Sequence, residues 1–165
     1  MFSSKRIDDL ETPAKIRALK FLTEARGELA PLGVDVIVTC TVRDGEAQND
    51  LYAHGRTRAQ LDAAGLHHVE PKPGRILTNA TAGDSFHQWK VALDVMLVRH
   101  GKLIDDDTPE GKALWQRLGE IGERCGLVWA GRWLGRLKEE CHFQYTGALK
   151  LADFKAGMTL TEATA

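Results

Sequence analysis

Apolar residues recur at steps of three and four in two segments of the chain, the spacing that forms one face of a helix. Each segment opens with threonine and proline, a pair typical of a helix start: Thr12-Pro13 and Thr108-Pro109. The apolar stripe of the first helix comprises Ile16, Leu19, Leu22, Ala25 and Leu29. The stripe of the second comprises Leu114, Leu118, Ile121 and Cys125, with Gly126 as its stop.

Alternation with a period of two predicts the strands. In GVDVIVTCTVR, residues 33–43, the valines and Cys40 alternate with a second set, which places Arg43 on the face opposite the valines. VALDVMLV and KLI, joined by Arg99-His100-Gly101, predict a hairpin, and LVW and CHFQY are short candidate strands. Asp44 can cap a further helix up to about Gly55, and residues 55–83 are expected to form a long loop. Helices mixed with hairpin-linked strands predict an α+β domain with an antiparallel sheet.

Composition narrows the class of protein. A chain of 165 residues suits one domain, residues 1–165, and its net charge of -1 implies no general attraction to nucleic acid or anionic membrane. The three cysteines, Cys40, Cys125 and Cys141, are too few and too far apart for a disulfide framework, and each is interpreted as a small core residue. The charged N-terminal segment does not resemble a signal peptide, and no apolar run is long enough to span a membrane. We therefore expect a protein made in the cytoplasm.

Four residues could form a metal-dependent catalytic site. His87 and Asp94 are seven residues apart in SFHQWKVALDV, and both can face one ion if His87 lies in the loop before the strand. His142 supplies a third ligand, which leaves a place for water on one Zn²⁺ ion. Glu139, three residues before His142, could act as the base, and Arg43 could stabilise an oxyanion. Taken singly, each residue is as readily explained as a solvated charge or a loop hydrogen-bonder, so spacing leaves the question open.

Five ordered motifs resemble a known family. SFHQWKVALD is similar to the S-x-H-x-x-G-x-A-x-D signature of the zinc D-alanyl-D-alanine carboxypeptidase/dipeptidase family, and LKEECHFQ is similar to its E/D-x-x-H signature. TVRDGEAQNDLYAHGRT, ILTNATAGDSFH and WAGRW resemble motifs of its phage endolysin branch, the L-alanyl-D-glutamate endopeptidases. The resemblance extends from about Val38 to Tyr145, within a recognisable core of about residues 34–146.

The resemblance implies a role for each matching position. His87, Asp94 and His142 correspond to the zinc ligands, and Glu139 corresponds to the catalytic base. Arg43 corresponds to the arginine that stabilises the transition state, and Ser85 to a serine that helps to hold the substrate. The implied fold is the small α+β zinc-peptidase fold shared with hedgehog-type domains.

Three positions depart from the family pattern. Lys90 replaces the signature glycine, so the turn between His87 and Asp94 must form without glycine or under strain. Cys141 stands where the endolysin branch often has proline, and Asp44-Gly45 replaces a serine. None of these changes removes a ligand or the base.

The resemblance implies an endopeptidase that cuts the stem peptide of bacterial peptidoglycan at the L-alanyl-D-glutamate bond, in the role of a phage or prophage endolysin. Such an enzyme is expected to stay in the host cytoplasm until a holin-type partner releases it to the wall, and no separate wall-binding domain is expected. Two alternatives are a D,D-carboxypeptidase or dipeptidase with the same metal chemistry, and a non-catalytic zinc domain that binds wall or a protein partner.

Overall fold

A five-stranded antiparallel sheet holds the molecule together in the computed structural model, which describes residues 1–104, 106–135 and 138–160. The described strands are β1 (Ser3–Ser4), β2 (Val34–Cys40), β3 (Val42–Arg43), β4 (Ala92–Arg99), β5 (Lys102–Leu103), β6 (Val128–Trp129) and β7 (His142–Gln144). The described α-helices are α1 (Thr12–Leu29), α2 (Gly45–Tyr52), α3 (Arg58–Ala63), α4 (Pro109–Arg124) and α5 (Leu151–Lys155). The order in the sheet is β2-β4-β7-β6, with β5 also paired to β4, while β1 and β3 form a separate ribbon. The predicted α+β class is confirmed.

Helices α1 and α4 cover one face of the sheet. Leu93, Val95 and Leu97 of β4 point to this face and are buried with side chains of both helices in the main core cluster. Phe21 of α1 meets Phe143 of β7, with ring centroids 4.6 Å apart. Because side chains alternate along a strand, the residues between these core positions must point to the opposite face. That second face carries the candidate chemistry.

The predicted positions of the helices are confirmed, but the predicted buried face of α1 is only partly correct. Thr108 caps α4 by accepting a hydrogen bond from the Gly111 backbone N–H at 3.0 Å, and Asp44 caps α2 in the same way. In α1, however, Ile16 and Leu19 of the predicted stripe are exposed, and the buried face instead includes Ala14, Ala18 and Phe21. Leu22, Ala25 and Leu29 of the predicted stripe are buried, so the prediction holds for the second half of the helix and fails for the first.

The predicted long loop contains helix α3. Thr57 caps it by accepting a hydrogen bond from the Gln60 backbone, and the Gln60 side chain accepts one from the Thr57 N–H in return. This reciprocal capping box stabilises a helix too short to show apolar periodicity. None of the helices among the described residues is both long enough and apolar enough to cross a membrane.

An irregularity near the end of β2 changes which residues face the second side of the sheet. Val38 pairs with Val95, but Cys40 pairs with Asp94, so two steps along β2 correspond to one step along β4. Such a bulge inverts the alternation beyond it. Cys40 therefore shares the face of Asp94 rather than that of the core residue Val95. The sequence prediction that Cys40 is a small buried residue is confirmed, since it is 4 % exposed, although it lies on the second face of the sheet and outside the main core cluster.

The Trp129 ring packs against helix α4 and links it to the segment after β6. A Cβ atom at Gly119 of α4 would lie 2.1 Å from the Trp129 ring, so only glycine permits this contact. The Trp129 indole N–H donates a hydrogen bond of 2.8 Å to the carbonyl of Glu140. The Glu139 backbone N–H donates to the carbonyl of Ala130. The stretch carrying Glu139 is thus held by the helix and by its own hydrogen bonds.

Lys90 adopts the left-handed conformation that its position in the signature motif requires. Its φ of 58° and ψ of 31° end a single 3-10 turn, Phe86–Trp89, just before β4 begins. An L-residue in this region costs about 1–2 kcal/mol relative to glycine. The strain expected from the sequence is therefore present at this turn.

We predict that Lys90→Gly raises the free energy of unfolding by about 1 kcal/mol, because glycine adopts this backbone conformation without the Cβ clash. Urea unfolding of the two proteins measures the difference. Lys90→Ala is the matched control, since it removes the same side chain but keeps the Cβ atom. Equal stabilisation by alanine and glycine would show that the side chain, and not the backbone strain, is responsible.

Candidate active site

The sheet register brings the candidate ligands together on its second face. Asp94 of β4 pairs directly with His142 of β7, so their side chains lie next to each other. His87 comes from the 3-10 turn before β4, which carries its ring back over the start of that strand. The prediction that His87 precedes the strand is correct, although the segment is a 3-10 turn rather than an irregular loop.

Both imidazoles approach the same oxygen atom. His87 Nε2 lies 3.1 Å from Asp94 Oδ1, and His142 Nδ1 lies 3.1 Å from that oxygen as well. The two rings meet edge to face, with centroids 5.1 Å apart. His87 is 2 % exposed and His142 6 % exposed, so solvent has little access to this point.

Hydrogen bonds on the far side of each ring fix the tautomers. His87 Nδ1 lies 3.1 Å from the Thr41 carbonyl oxygen, which can only accept, so this nitrogen carries the proton. His142 Nε2 lies 3.0 Å from Gln144 Oε1 and carries its proton for the same reason. The nitrogens that face Asp94 are then lone-pair donors when the rings are neutral. In that neutral state three electron-pair donors converge with no proton between them, an arrangement that a cation would satisfy.

The donor set fits Zn²⁺. Two neutral imidazoles and one carboxylate form a common ligand set for catalytic zinc, and each ligating imidazole normally donates its other N–H to a carbonyl or carboxylate group. Bonds of about 2.0–2.1 Å at a tetrahedral angle place two donors about 3.3 Å apart. The observed separations of 3.1 Å are close to this value.

Arg43 borders the same carboxylate. Its Nη2 lies 3.5 Å from Asp94 Oδ2, and its Nη1 donates a hydrogen bond of 2.9 Å to Gln48 Oε1. Gln48 is fully buried and donates in turn to the Ala80 carbonyl. Helix α2, which carries Gln48, therefore orients the guanidinium toward the second oxygen of Asp94.

Glu139 lies in the same cavity with its carboxyl partly withdrawn from water. Burial raises the pKa of Glu139 and the nearby Asp94 charge adds to the effect, although the imidazoles and Arg43 oppose it. A carboxyl with a raised pKa accepts a proton more readily near neutral pH. Glu139 is therefore suited to accept a proton during a reaction.

The cavity around these groups has a volume of about 490 Å³, a size typical of small-ligand sites. Ser85, which is buried, lines it next to His87. Trp133 lines it too, with its ring centroid 5.9 Å from that of His142, whereas Trp129 is buried in the core. Of the two tryptophans in the WAGRW motif, one thus contributes to the cavity and the other to packing.

Comparisons with known proteins agree with this arrangement. The sequence model of the D-alanyl-D-alanine carboxypeptidase family matches residues 78–145, which include the three candidate ligands and Glu139. The chain is 29% identical over 149 residues to the peptidoglycan L-alanyl-D-glutamate endopeptidase CwlK of Bacillus subtilis, a match that covers 86% of this chain and 80% of that protein. The chain is therefore similar to the D-alanyl-D-alanine carboxypeptidase family over the region that carries the candidate site. The resemblance proposed from the sequence and its assignment to the metallopeptidases are confirmed.

Solved structures confirm the fold of this family. The L-Ala D-Glu endopeptidase ChiX of Serratia marcescens superposes with a TM-score of 0.50 at 18% identity, covering 88% of this chain and 89% of that one. The vancomycin resistance D,D-pentapeptidase VanY of the VanB-type cassette, crystallised in complex with Zn(II), gives a TM-score of 0.54 at 21% identity. That match covers 91% of this chain and 80% of VanY. At these identities the likeness establishes the architecture, not the reaction.

Sequence reasoning missed two residues that orient the imidazoles of this site. Thr41 acts through its backbone carbonyl, which no side-chain motif can reveal. Gln144 lies two residues after His142 on the same strand, so the two side chains share a face. An amide side chain two residues from a candidate ligand histidine could therefore have been predicted to bond to that histidine.

The charge balance of the site predicts a pH dependence for the metal-free protein. Although burial opposes protonation, the charge and hydrogen bond of Asp94 raise the pKa of His87 to about 10 from its ordinary 6.5, and the pKa of Asp94 is lowered. A raised folded-state pKa contributes stability that is complete below pH 6.5 and is lost as the pH rises toward 10. We expect chelator-treated protein to lose a few kcal/mol of unfolding free energy over this window.

Urea unfolding with a chelator, at intervals from pH 6.5 to 10, measures this loss. Because ion binding requires His87 to release its proton, the apparent Zn²⁺ affinity should rise with pH over the same window. The zinc-loaded protein serves as the comparison and should lose less stability. A chelated protein whose stability is flat or increases over this window would contradict the His87–Asp94 pairing.

Gln144→Met should weaken zinc binding by about 10–100-fold, because His142 loses the acceptor that fixes its tautomer. Gln144→Glu, which restores an acceptor oxygen, should recover most of the affinity. Competition with a chromophoric chelator measures both. Gln116→Met is the control, since the Gln116 amide donates only to the exposed Glu120 on α4. Equal affinities for Gln144→Met and wild type would remove Gln144 from the site.

Proposed function

We propose that this protein is a zinc-dependent endopeptidase that hydrolyses the L-alanyl-D-glutamate bond of the peptidoglycan stem peptide. The observation that carries the proposal is the convergence of two imidazole nitrogens and one carboxylate oxygen beside Glu139 and Arg43. The similarity to the L-alanyl-D-glutamate endopeptidases CwlK and ChiX supports peptidoglycan as the substrate and this bond as the point of cleavage.

His87, Asp94 and His142 would hold one Zn²⁺ ion through Nε2, Oδ1 and Nδ1, respectively. A zinc ion in such a site polarises the scissile carbonyl and lowers the pKa of a water molecule. Asp94 keeps its negative charge because its pKa is lowered by the neighbouring imidazoles despite its burial. The sheet supplies two of these ligands from directly paired strands, so little reorganisation is required for binding.

Glu139 would accept the proton of the attacking water and then deliver it to the leaving amine. Its raised pKa favours both steps, because the carboxylate becomes a better base and the resulting acid stays protonated long enough to donate. Arg43 would donate N–H groups to the carbonyl oxygen as negative charge develops on it. The hydrogen bond to Gln48 keeps this guanidinium in place before substrate arrives.

Ser85 and Trp133 line the cavity and would contact the peptide. The Ser85 hydroxyl can bond to a peptide group, and the Trp133 ring offers an apolar surface beside His142. A cavity of about 490 Å³ accommodates a few residues of stem peptide rather than a folded protein.

We further propose that the chain acts as one peptidase domain, residues 1–165, in a phage or prophage endolysin role. It would be made in the host cytoplasm and would reach the wall after a holin-type protein opens the membrane. The ordered similarity of TVRDGEAQNDLYAHGRT, ILTNATAGDSFH and WAGRW to the endolysin branch supports this role.

A D,D-carboxypeptidase with the same metal chemistry is the second candidate. The family description and the likeness to VanY favour it, since both are associated with D-alanyl substrates or D,D-peptidase activity. A non-catalytic zinc domain is less well supported, because a structural ion would require neither Glu139 nor Arg43 in the cavity.

Digestion of purified sacculi, followed by mass spectrometry of the released fragments, tests the proposal. We expect wild type to produce new D-glutamate amino termini, and a chelator to abolish them. Glu139→Gln should retain zinc but lose activity by at least about 10²-fold, the usual contribution of a general base. His142→Ala should lose zinc and activity together.

Glu140→Gln is the matched control, since its carboxylate pairs with Lys138 at 3.0 Å and its activity should stay near that of wild type. Release of free D-alanine would instead assign the D,D-carboxypeptidase. Equal products from wild type and Glu139→Gln would rule out the catalytic assignment.

A further inference from the structure

Cys40 lies beside the proposed ligands although the family signatures assign it no part. The sulfur of Cys40, a donor atom of His87 and a carboxylate oxygen of Asp94 all lie within 4.8 Å of one another. Cys40 is a free cysteine and is 4 % exposed. In the described part of the chain, this trio is the group of donor side chains that meets that distance criterion.

The bulge in β2 is what brings the thiol to this position. Regular pairing beyond Val38 and Val95 would have turned Cys40 toward the core, but the inserted residue pairs it with Asp94 instead. Asp94 pairs on its other side with His142. Cys40, Asp94 and His142 are therefore neighbours across three strands, on one face of the sheet, with His87 next to them.

The thiol has few other interactions. The Cys40 thiol donates a long hydrogen bond of 3.9 Å to the carbonyl of Val42. Cys40 does not join the main apolar core, whereas Cys141 packs against that core. A buried sulfur outside the main core cluster, beside one nitrogen donor and one oxygen donor, lies where a metal ligand would lie.

We propose that Cys40 is a further sulfur donor to the ion at this site, which makes it a centre for thiophilic divalent cations such as zinc, cobalt and cadmium. The inference rests on the proposed function, since it adds a donor to the same site. At a tetrahedral angle, two donors of one ion lie about 3.6 Å apart when the bonds are about 2.3 Å to sulfur and about 2.1 Å to oxygen. The Cys40 sulfur lies within 4.8 Å of both other donor atoms, so its side chain would move closer to them by at most roughly 1.2 Å as the ion binds.

Binding by sulfur requires the thiolate, so Cys40 would release its proton to solvent as the ion enters. Zinc in catalytic sites can expand to five ligands, so a sulfur donor leaves room for water. A thiolate also changes selectivity, because soft ligands favour zinc and cadmium over manganese and magnesium. A thiolate ligand from Cys40 would make this site chemically different from one that has two imidazoles and a carboxylate alone.

Cobalt substitution tests the inference without relying on activity. A cobalt–thiolate bond produces a strong near-ultraviolet charge-transfer absorption that imidazole and carboxylate ligands do not produce. Chelator-stripped protein is titrated with Co²⁺ and its absorption is recorded. Wild type and Cys141→Ser should show the band at one equivalent, and Cys40→Ser should bind Co²⁺ without it.

A double variant, Cys125→Ser with Cys141→Ser, keeps Cys40 as the one cysteine of the three in the chain. It should retain the full band, and it carries the test if Cys40→Ser does not fold. Cobalt bound without a sulfur band in this variant overturns the inference and leaves the proposed zinc site intact. Wild-type protein that takes up no Co²⁺ overturns both.

Discussion

One partly buried carboxylate oxygen, Asp94 Oδ1, is the atom around which the site is organised. Two imidazole nitrogens face it at 3.1 Å, and the guanidinium of Arg43 borders the other oxygen of the same group. A carboxylate in so enclosed a place is costly unless positive charge accompanies it. In the metal-free state this positive charge comes from Arg43 and from a proton on His87. In the metal-bound state a cation would replace that proton.

The sheet satisfies this requirement because its register is fixed by the core on the other face. Leu93 and Val95, on either side of Asp94, are anchored among the residues of α1 and α4. A slip of one residue would bury Asp94 in the core and expose both of these residues on the opposite face. The geometry of the site is thus stabilised by hydrophobic packing that takes no part in the chemistry.

Much of this could be predicted from the sequence, and the remainder has identifiable physical causes. Helix α4 and the β4–β5 hairpin were recognisable because long periodicity and strong turn residues agree there. The side of the sheet to which Cys40 points could not be predicted, because the bulge depends on pairing with a strand over fifty residues away. The short helix α3 was missed because a capping box, not an apolar stripe, defines it.

The candidate residues show the same division. Motif similarity selected His87, Asp94, His142 and Glu139, and the structure places all four at one cavity. The groups that orient them, the Thr41 carbonyl and the Gln144 amide, are visible only once the chain is folded. The sequence gives the identity of each side chain, whereas the direction of a histidine lone pair depends on hydrogen-bond partners that only the folded chain brings near.

The contact of Trp129 with Gly119 places the segment that carries Glu139 against helix α4. The same helix packs against strand β7, because a Cβ atom at Gly122 would lie 2.5 Å from the ring of Phe143, the residue next to His142. A shift of α4 would therefore displace Glu139 and His142 together. Glycine at two positions of one helix thus allows a single element to set the spacing between the carboxyl group and the sheet.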